Sequence, residues 1–303
     1  MKEAIETREL IVLDGLDVIT RGIYHKTLDD CSRLPSSQID RAHIGVLFLN
    51  SPSPTRAAQA DSAVYWADAL AEQGYPSFRL DLPGCGDSEG DASEMLDFTR
   101  RGGFAPIVSS KIRELVARFG LDGVVIVEHS STSVSTLYAA ACCLECKGLV
   151  LMDPCFDLPQ LIQPVDPQNH HDLTSQACRR PSRHPCNSMT RTQLLHESAF
   201  ALHATGLRRR LKDAASIQLP ILIFKPSNRQ VTIHEDDFFT YIAHLAGRNS
   251  QIVINIMNGS SRFFTSWLGR LMIRQSMEQW LNSCFPLVPP AGSPLVEDIR
   301  IPR

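Results

Sequence analysis

The stretch Glu128-His129-Ser130-Ser131-Thr132-Ser133 places an acid, an imidazole and four hydroxyls in six residues. It follows Val124-Val125-Ile126-Val127 and leads into a segment carrying Leu137, Ala139 and Ala141. A short apolar run that breaks at a polar turn predicts a buried parallel strand, and the residues after the turn predict a helix. A serine at such a break is the layout of a nucleophile elbow, G-x-S-x-G, which presents its hydroxyl for acyl transfer. Ser130 stands at the centre of that pattern, with Glu128 and Thr132 at the positions of the glycines. Glycine leaves room for a strained turn, so Glu128 is expected to crowd it. The bland alternative for residues 130–133 is a helix N-cap, since hydroxyls cap well.

Acyl transfer needs more than a nucleophile. It needs a base, an acid to orient the base, and N–H donors for the oxyanion. Other elements must bring these to the serine. Leu10-Ile11-Val12-Leu13 and Val18 to Tyr24 flank Asp14-Gly15, a hairpin signal that predicts an antiparallel pair at a sheet edge. Strands are then predicted at Ile44–Leu49, Ser77–Leu80, Val124–Val127, Gly148–Met152, Ile221–Phe224 and Ile252–Ile256. Helices are predicted from Arg56 to Gly74, over Ile107–Phe119, after the elbow, over 192–212 and 234–246, and from Phe263 to Leu281. Such alternation implies a mostly parallel sheet with helices on both faces, whose ligands bind at the carboxyl ends of the strands.

Residues 155–215 break this rhythm and read as a lid insertion into a core of residues 1–154 and 216–285. Residues 286–303 form a Pro-rich tail. The 303 residues carry 43% hydrophobic and 21% charged side chains and a formal net charge of −3, which suits a globular core and implies no attraction to nucleic acid. No run is long and apolar enough for a membrane span, and the mixed, acidic start lacks the core of a signal peptide. Nine scattered Cys fit free thiols in a reducing cytoplasm. No nucleotide-binding glycine motif occurs and no cofactor is called for. His170, His171, Cys178, His184 and Cys186 are zinc-ligand types without zinc-site spacing, so no metal is expected. Arg208-Arg209-Arg210 with Lys212 reads as a solvated helix face.

The segment Tyr75 to Gly90 contains Asp81-Leu82-Pro83-Gly84-Cys85-Gly86-Asp87-Ser88-Glu89-Gly90, a D-x-x-G-x-G-x-S-x-G loop after a strand. With the elbow position and a last helix ending in Trp280-Leu281, it resembles the α/β-hydrolase superfamily over nearly the whole chain. Its nearest likeness is to the serine-aminopeptidase-like group, which includes hydrolases linked to exopolysaccharide export. The resemblance implies an α/β-hydrolase fold and puts Ser130 at the nucleophile position. It puts Asn228, after Ile221–Phe224, at the acid position, and Arg262, after the last strand, at the base position. Asn cannot stabilise an imidazolium as a carboxylate does, and Arg accepts no proton near neutrality. Asp153 is a possible substitute acid, though an Asp-Pro turn is the plainer reading. Backbone donors for an oxyanion would come from Ser51 and Ser131, with none from Pro52.

Two functions follow from these vacancies. The first is a protein that has lost serine-hydrolase chemistry and binds a small-molecule ligand or a protein partner in the old cleft. The second is an active ester, thioester or peptide hydrolase using Ser130 with Asp153 or a lid histidine, His196 or His203, as helpers. Under the first, Arg262 is expected to form an ion pair with Glu128 or Asp153.

Overall fold

In the computed structural model, the residues described are 7–28, 43–49, 56–58, 61–90, 102–129, 132–154, 219–227, 251–258 and 264–287. The lid at 155–215, the helices at 192–212 and 234–246, and the tail beyond residue 287 lie outside them.

Eight strands form one sheet: β1 Arg8–Leu13, β2 Thr20–His25, β3 Ile44–Leu49, β4 Ser77–Leu80, β5 Gly123–His129, β6 Cys146–Met152, β7 Ile221–Pro226 and β8 Ile252–Met257. Their order is β1-β2-β4-β3-β5-β6-β7-β8. The β1–β2 and β2–β4 pairs are antiparallel and all others parallel. The predicted hairpin therefore does lie at an edge, and the mostly parallel sheet stands as expected. β5 runs between β3 and β6, buried from Gly123 to Glu128.

Four helices cover the two faces: α1 Ser62–Glu72, α2 Ala105–Phe119, α3 Ser133–Cys142 and α4 Trp267–Cys284. Side chains alternate along a strand, so β5 serves both layers. Val124 and Ile126 join α2 and α3 through Ile107, Ile112, Leu115 and Leu137. Val125 and Val127 join α1 and α4 through Trp66, Leu70, Ile273 and Met277. Two long-range ties close the second layer. Trp66 Nε1 donates to the Arg270 carbonyl at 3.0 Å, and Tyr75 Oη reaches Asn282 Oδ1 at 2.8 Å and the Phe285 carbonyl at 3.0 Å.

Two helix starts differ from expectation. The pattern beginning at Arg56 becomes helix only at Ser62. Ala58 and Asp61 have positive φ (59° and 53°), which a right-handed helix excludes, and the Arg56 N–H is held by Asp81 Oδ1 at 2.6 Å. The last helix begins at Trp267, not Phe263, because Phe264 has φ 50° and Ser266 Oγ caps the Gly269 N–H at 3.1 Å.

The loop after β4 is a structural knot. Asp81, buried, accepts from the Arg56 guanidinium and from Asp87 N at 3.1 Å. Ser88 Oγ donates to the Asp81 carbonyl at 2.6 Å and accepts from Arg21 N at 2.8 Å. Gly86 is required: at φ 52°, a Cβ there would lie 2.2 Å from Asp81 Oδ2.

Beside this knot lies a buried chain of charges. Arg79, in the middle of β4, donates through Nε to His25 Nε2 at 2.7 Å. An accepting Nε2 leaves the proton on Nδ1, which faces Asp68 Oδ1 at 2.7 Å. Arg8 closes the chain onto Asp68. Burial, then the Arg79 charge, pushes His25 down from 6.5 to about 4, against the pull of Asp68. Between those values the unfolded chain holds the extra proton. Stability from this group is therefore complete above pH 6.5, falls as pH drops toward about 4, and is level below that. Unfolding followed from pH 4 to 7 should show this slope, and His25→Gln should remove it. His25→Ala should cost about 2–4 kcal/mol, because Arg79 and Asp68 both lose a partner.

Candidate functional site

β5 ends at His129 at the carboxyl edge of the sheet, and the ends of β6, β7 and β8 lie along the same edge. Hydrogen bonding locks these ends together: the Asp153 N–H donates to the Phe224 carbonyl at 2.8 Å, and the Ser227 N–H to the Met257 carbonyl at 3.1 Å. The predicted site residues Ser51, Ser130, Ser131, Asn228 and Arg262 all lie outside the described residues. β5 ends at His129, β7 at Pro226 and β8 at Met257, in register across β5-β6-β7-β8.

Glu128 is where the sequence reading needed correction. It was expected to crowd the turn, yet it is 1% exposed and well satisfied. Thr132 Oγ1 donates to its Oε2 at 3.0 Å and Ser133 Oγ to its Oε1 at 2.6 Å. The hydroxyls expected to cap a helix serve this carboxyl. Thr132, at the N-cap, makes no capping bond and already has helical angles of −85° and −4°. Arg262, the cation expected beside Glu128 or Asp153, lies outside the described residues; among the described residues no Lys or Arg pairs with Glu128. Burial pushes its carboxyl up from 4.5 to about 8; the two hydroxyls oppose this and Asp153 adds to it.

Asp153, the substitute acid, is fully buried just past β6. Its φ of 45° is unusual for a residue with a side chain. An Asp-Pro turn was foreseen; the left-handed backbone and the electrostatic contact with Glu128 were not. The two acids thus stand at neighbouring strand ends. His129 belongs to the other side of the sheet, where its ring meets the Phe264 ring edge-on at 6.4 Å between centroids.

Two polar groups were missed. Arg79 could have been noticed as a charge inside the four-residue strand Ser77–Leu80. Lys111 could have been noticed within the apolar stripe of Ile107, Ile112 and Leu115. Its ammonium is buried and donates to the Gly15 and Val18 carbonyls at 3.0 and 2.8 Å, so it holds the hairpin turn. Neither reaches the carboxyl edge at β5. Among the described residues no cluster of three or more His, Cys, Asp or Glu is arranged for a metal. No helix among them is long and apolar enough to cross a membrane.

Thr136, one turn beyond Thr132 on α3, has a buried hydroxyl with no hydrogen-bond partner. Thr136→Val should leave the melting temperature unchanged or raise it. Ser133→Ala should cost about 1–3 kcal/mol, because it takes a partner from a buried carboxyl. Thermal unfolding of the two variants, side by side, measures both.

In sequence the chain matches no known family and no curated protein. In structure it is similar to an esterase of Pyrococcus furiosus, at 11% identity and TM-score 0.59, over 92% of this chain and 91% of that one. It is similar to an α/β serine hydrolase without a lid from Xanthomonas campestris, at 15% identity and TM-score 0.53, over 93% and 97%. A CIB-like hydrolase of Thermoplasma acidophilum aligns at 14% identity and TM-score 0.53, over 91% and 98%. Identities this low speak for architecture alone. With the strand order and the two helical layers, they establish that this chain has the α/β-hydrolase fold.

Proposed function

We propose that the protein is a member of this fold that has given up conventional serine-hydrolase chemistry and binds a ligand or a protein partner in the old cleft. What supports this is that β5, β6, β7 and β8 are parallel and end along one edge of the sheet. The loops that leave β7 and β8 there contain Asn228 and Arg262 where an acid and a base would be needed. No His occurs between His244 and the C-terminus. Losing triad members removes several powers of ten in rate. The serine-aminopeptidase-like likeness rests on Tyr75–Gly90, a segment whose loop in this chain knots Asp81 to Arg56.

A second reading keeps Ser130 as an active nucleophile. Asp153 favours it, since it is a buried carboxyl at the end of the strand next to β5. A fluorophosphonate probe and p-nitrophenyl acetate separate the two readings. The expected outcome is no labelling at Ser130 and background-level turnover that Ser130→Ala leaves unchanged. Labelling or turnover that Ser130→Ala abolishes would establish the second reading.

A further inference from the structure

A carboxyl wholly inside a sheet is costly unless a cation pairs with it or a proton neutralises it. The groups around Glu128 decide between these. Leu49 of β3 and Leu151 of β6 are its register neighbours. α3 contributes the Thr132 and Ser133 hydroxyls, and Asp153 lies close enough beyond β6 to repel its charge. His129 belongs to the opposite layer with Phe264. Among the described residues no cation joins these groups, and the charge of Asp153 disfavours a carboxylate. The two hydroxyls donate to the Glu128 oxygens and favour the charge, but burial outweighs them. A hydroxyl can also accept, so the neutral group keeps both partners. These two bonds run from the end of β5 to the start of α3 and bracket residues 129–131.

We infer that Glu128 is the positioning residue of the turn that carries Ser130 and Ser131: its side chain clips the strand end to the first turn of the helix, in place of the glycine that such a turn ordinarily uses. The inference rests on the reading of this turn as part of the cleft, but its test reads the turn itself.

The clip sets a specific tolerance. Glutamine has the shape of the neutral acid, with an N–H for Ser133 and a carbonyl for Thr132. Alanine has neither. The clip also sets a pH dependence. The folded carboxyl keeps its proton up to about 8 and the unfolded one only to 4.5. Its contribution is therefore full below pH 4.5 and is lost as pH rises to about 8. Beyond that the ionised group, buried and beside Asp153, weakens the clip.

The test is amide hydrogen exchange of residues 129–133, corrected for intrinsic rates and referred to the β5 core amides, at pH 7 and pH 9. At pH 9 about ten carboxylates stand to each acid. The wild-type turn should lose roughly tenfold in protection from pH 7 to 9, Glu128→Gln should stay protected at both, and Glu128→Ala should be unprotected at both. Equal pH dependence in wild type and Glu128→Gln overturns the inference, as does a protected turn in Glu128→Ala. If Glu128→Ala does not fold, the comparison of wild type with Glu128→Gln carries the same decision. A cleft that binds nothing leaves these exchange rates untouched, so failure of the functional reading is distinguishable.

Discussion

Burial of β5 on both faces is the constraint from which the rest of the arrangement follows. Gly123 to Glu128 offer water nothing, so the strand must be flanked by strands and covered by helices on either side. That requirement sets α2 and α3 on one face and α1 and α4 on the other. It also forces the first polar residues after the strand to emerge at one place, the carboxyl edge.

Polar groups inside this fold are managed by two different devices. On the β2–β4 side, opposite charges are chained: Arg8, Asp68, His25 and Arg79 are linked end to end, and Arg79 also donates to the Arg56 carbonyl at 3.0 Å. Burial, with the charges of Arg56 and Arg8, lowers even Arg79 to about 10. On the β5–β6 side the charge is absent instead. A carboxyl is kept in its acid form by desolvation and met by neutral hydroxyls. The first device ties elements distant in sequence; the second ties residues four and five apart. The difference follows from what each location offers, since the surface-near edge admits cations and the centre of the sheet does not.

The strands were legible because each apolar run is short and bounded, and six of the predicted cores lie within the observed elements. The hairpin signal at Asp14-Gly15 was legible too, but not its form. Gly15–Asp17 is a short 3-10 turn with Leu16 at φ 63°. That shape is imposed by α2, where Glu114 accepts from the Asp14 and Gly15 N–H groups at 3.2 and 3.1 Å and Lys111 takes the carbonyls. Those partners are about a hundred residues away, beyond any local pattern. At the site, residue types alone drew attention to Glu128. The comfort of Glu128 was not legible, because it depends on Thr132 and Ser133 facing back toward the strand, a direction that spacing does not disclose.

The ties between α1, Tyr75 and α4 have a consequence for biosynthesis. Trp66 meets Arg270 across 204 residues, and Tyr75 meets Asn282 and Phe285 across 207 and 210. These bonds close the α1–α4 layer, and they join parts of the chain that a ribosome releases far apart in time. An N-terminal piece ending near Pro154 can start the layer under α2 and α3. It must leave Val125 and Val127 without the α4 half of their cover. Such a nascent sheet lacks Leu219, Ile221, Ile223 and Ile252 on one face and all of α4 on the other, so both faces leave apolar surface to be covered later. Folding of this chain is therefore vectorial up to the middle and waits on its last helix for completion.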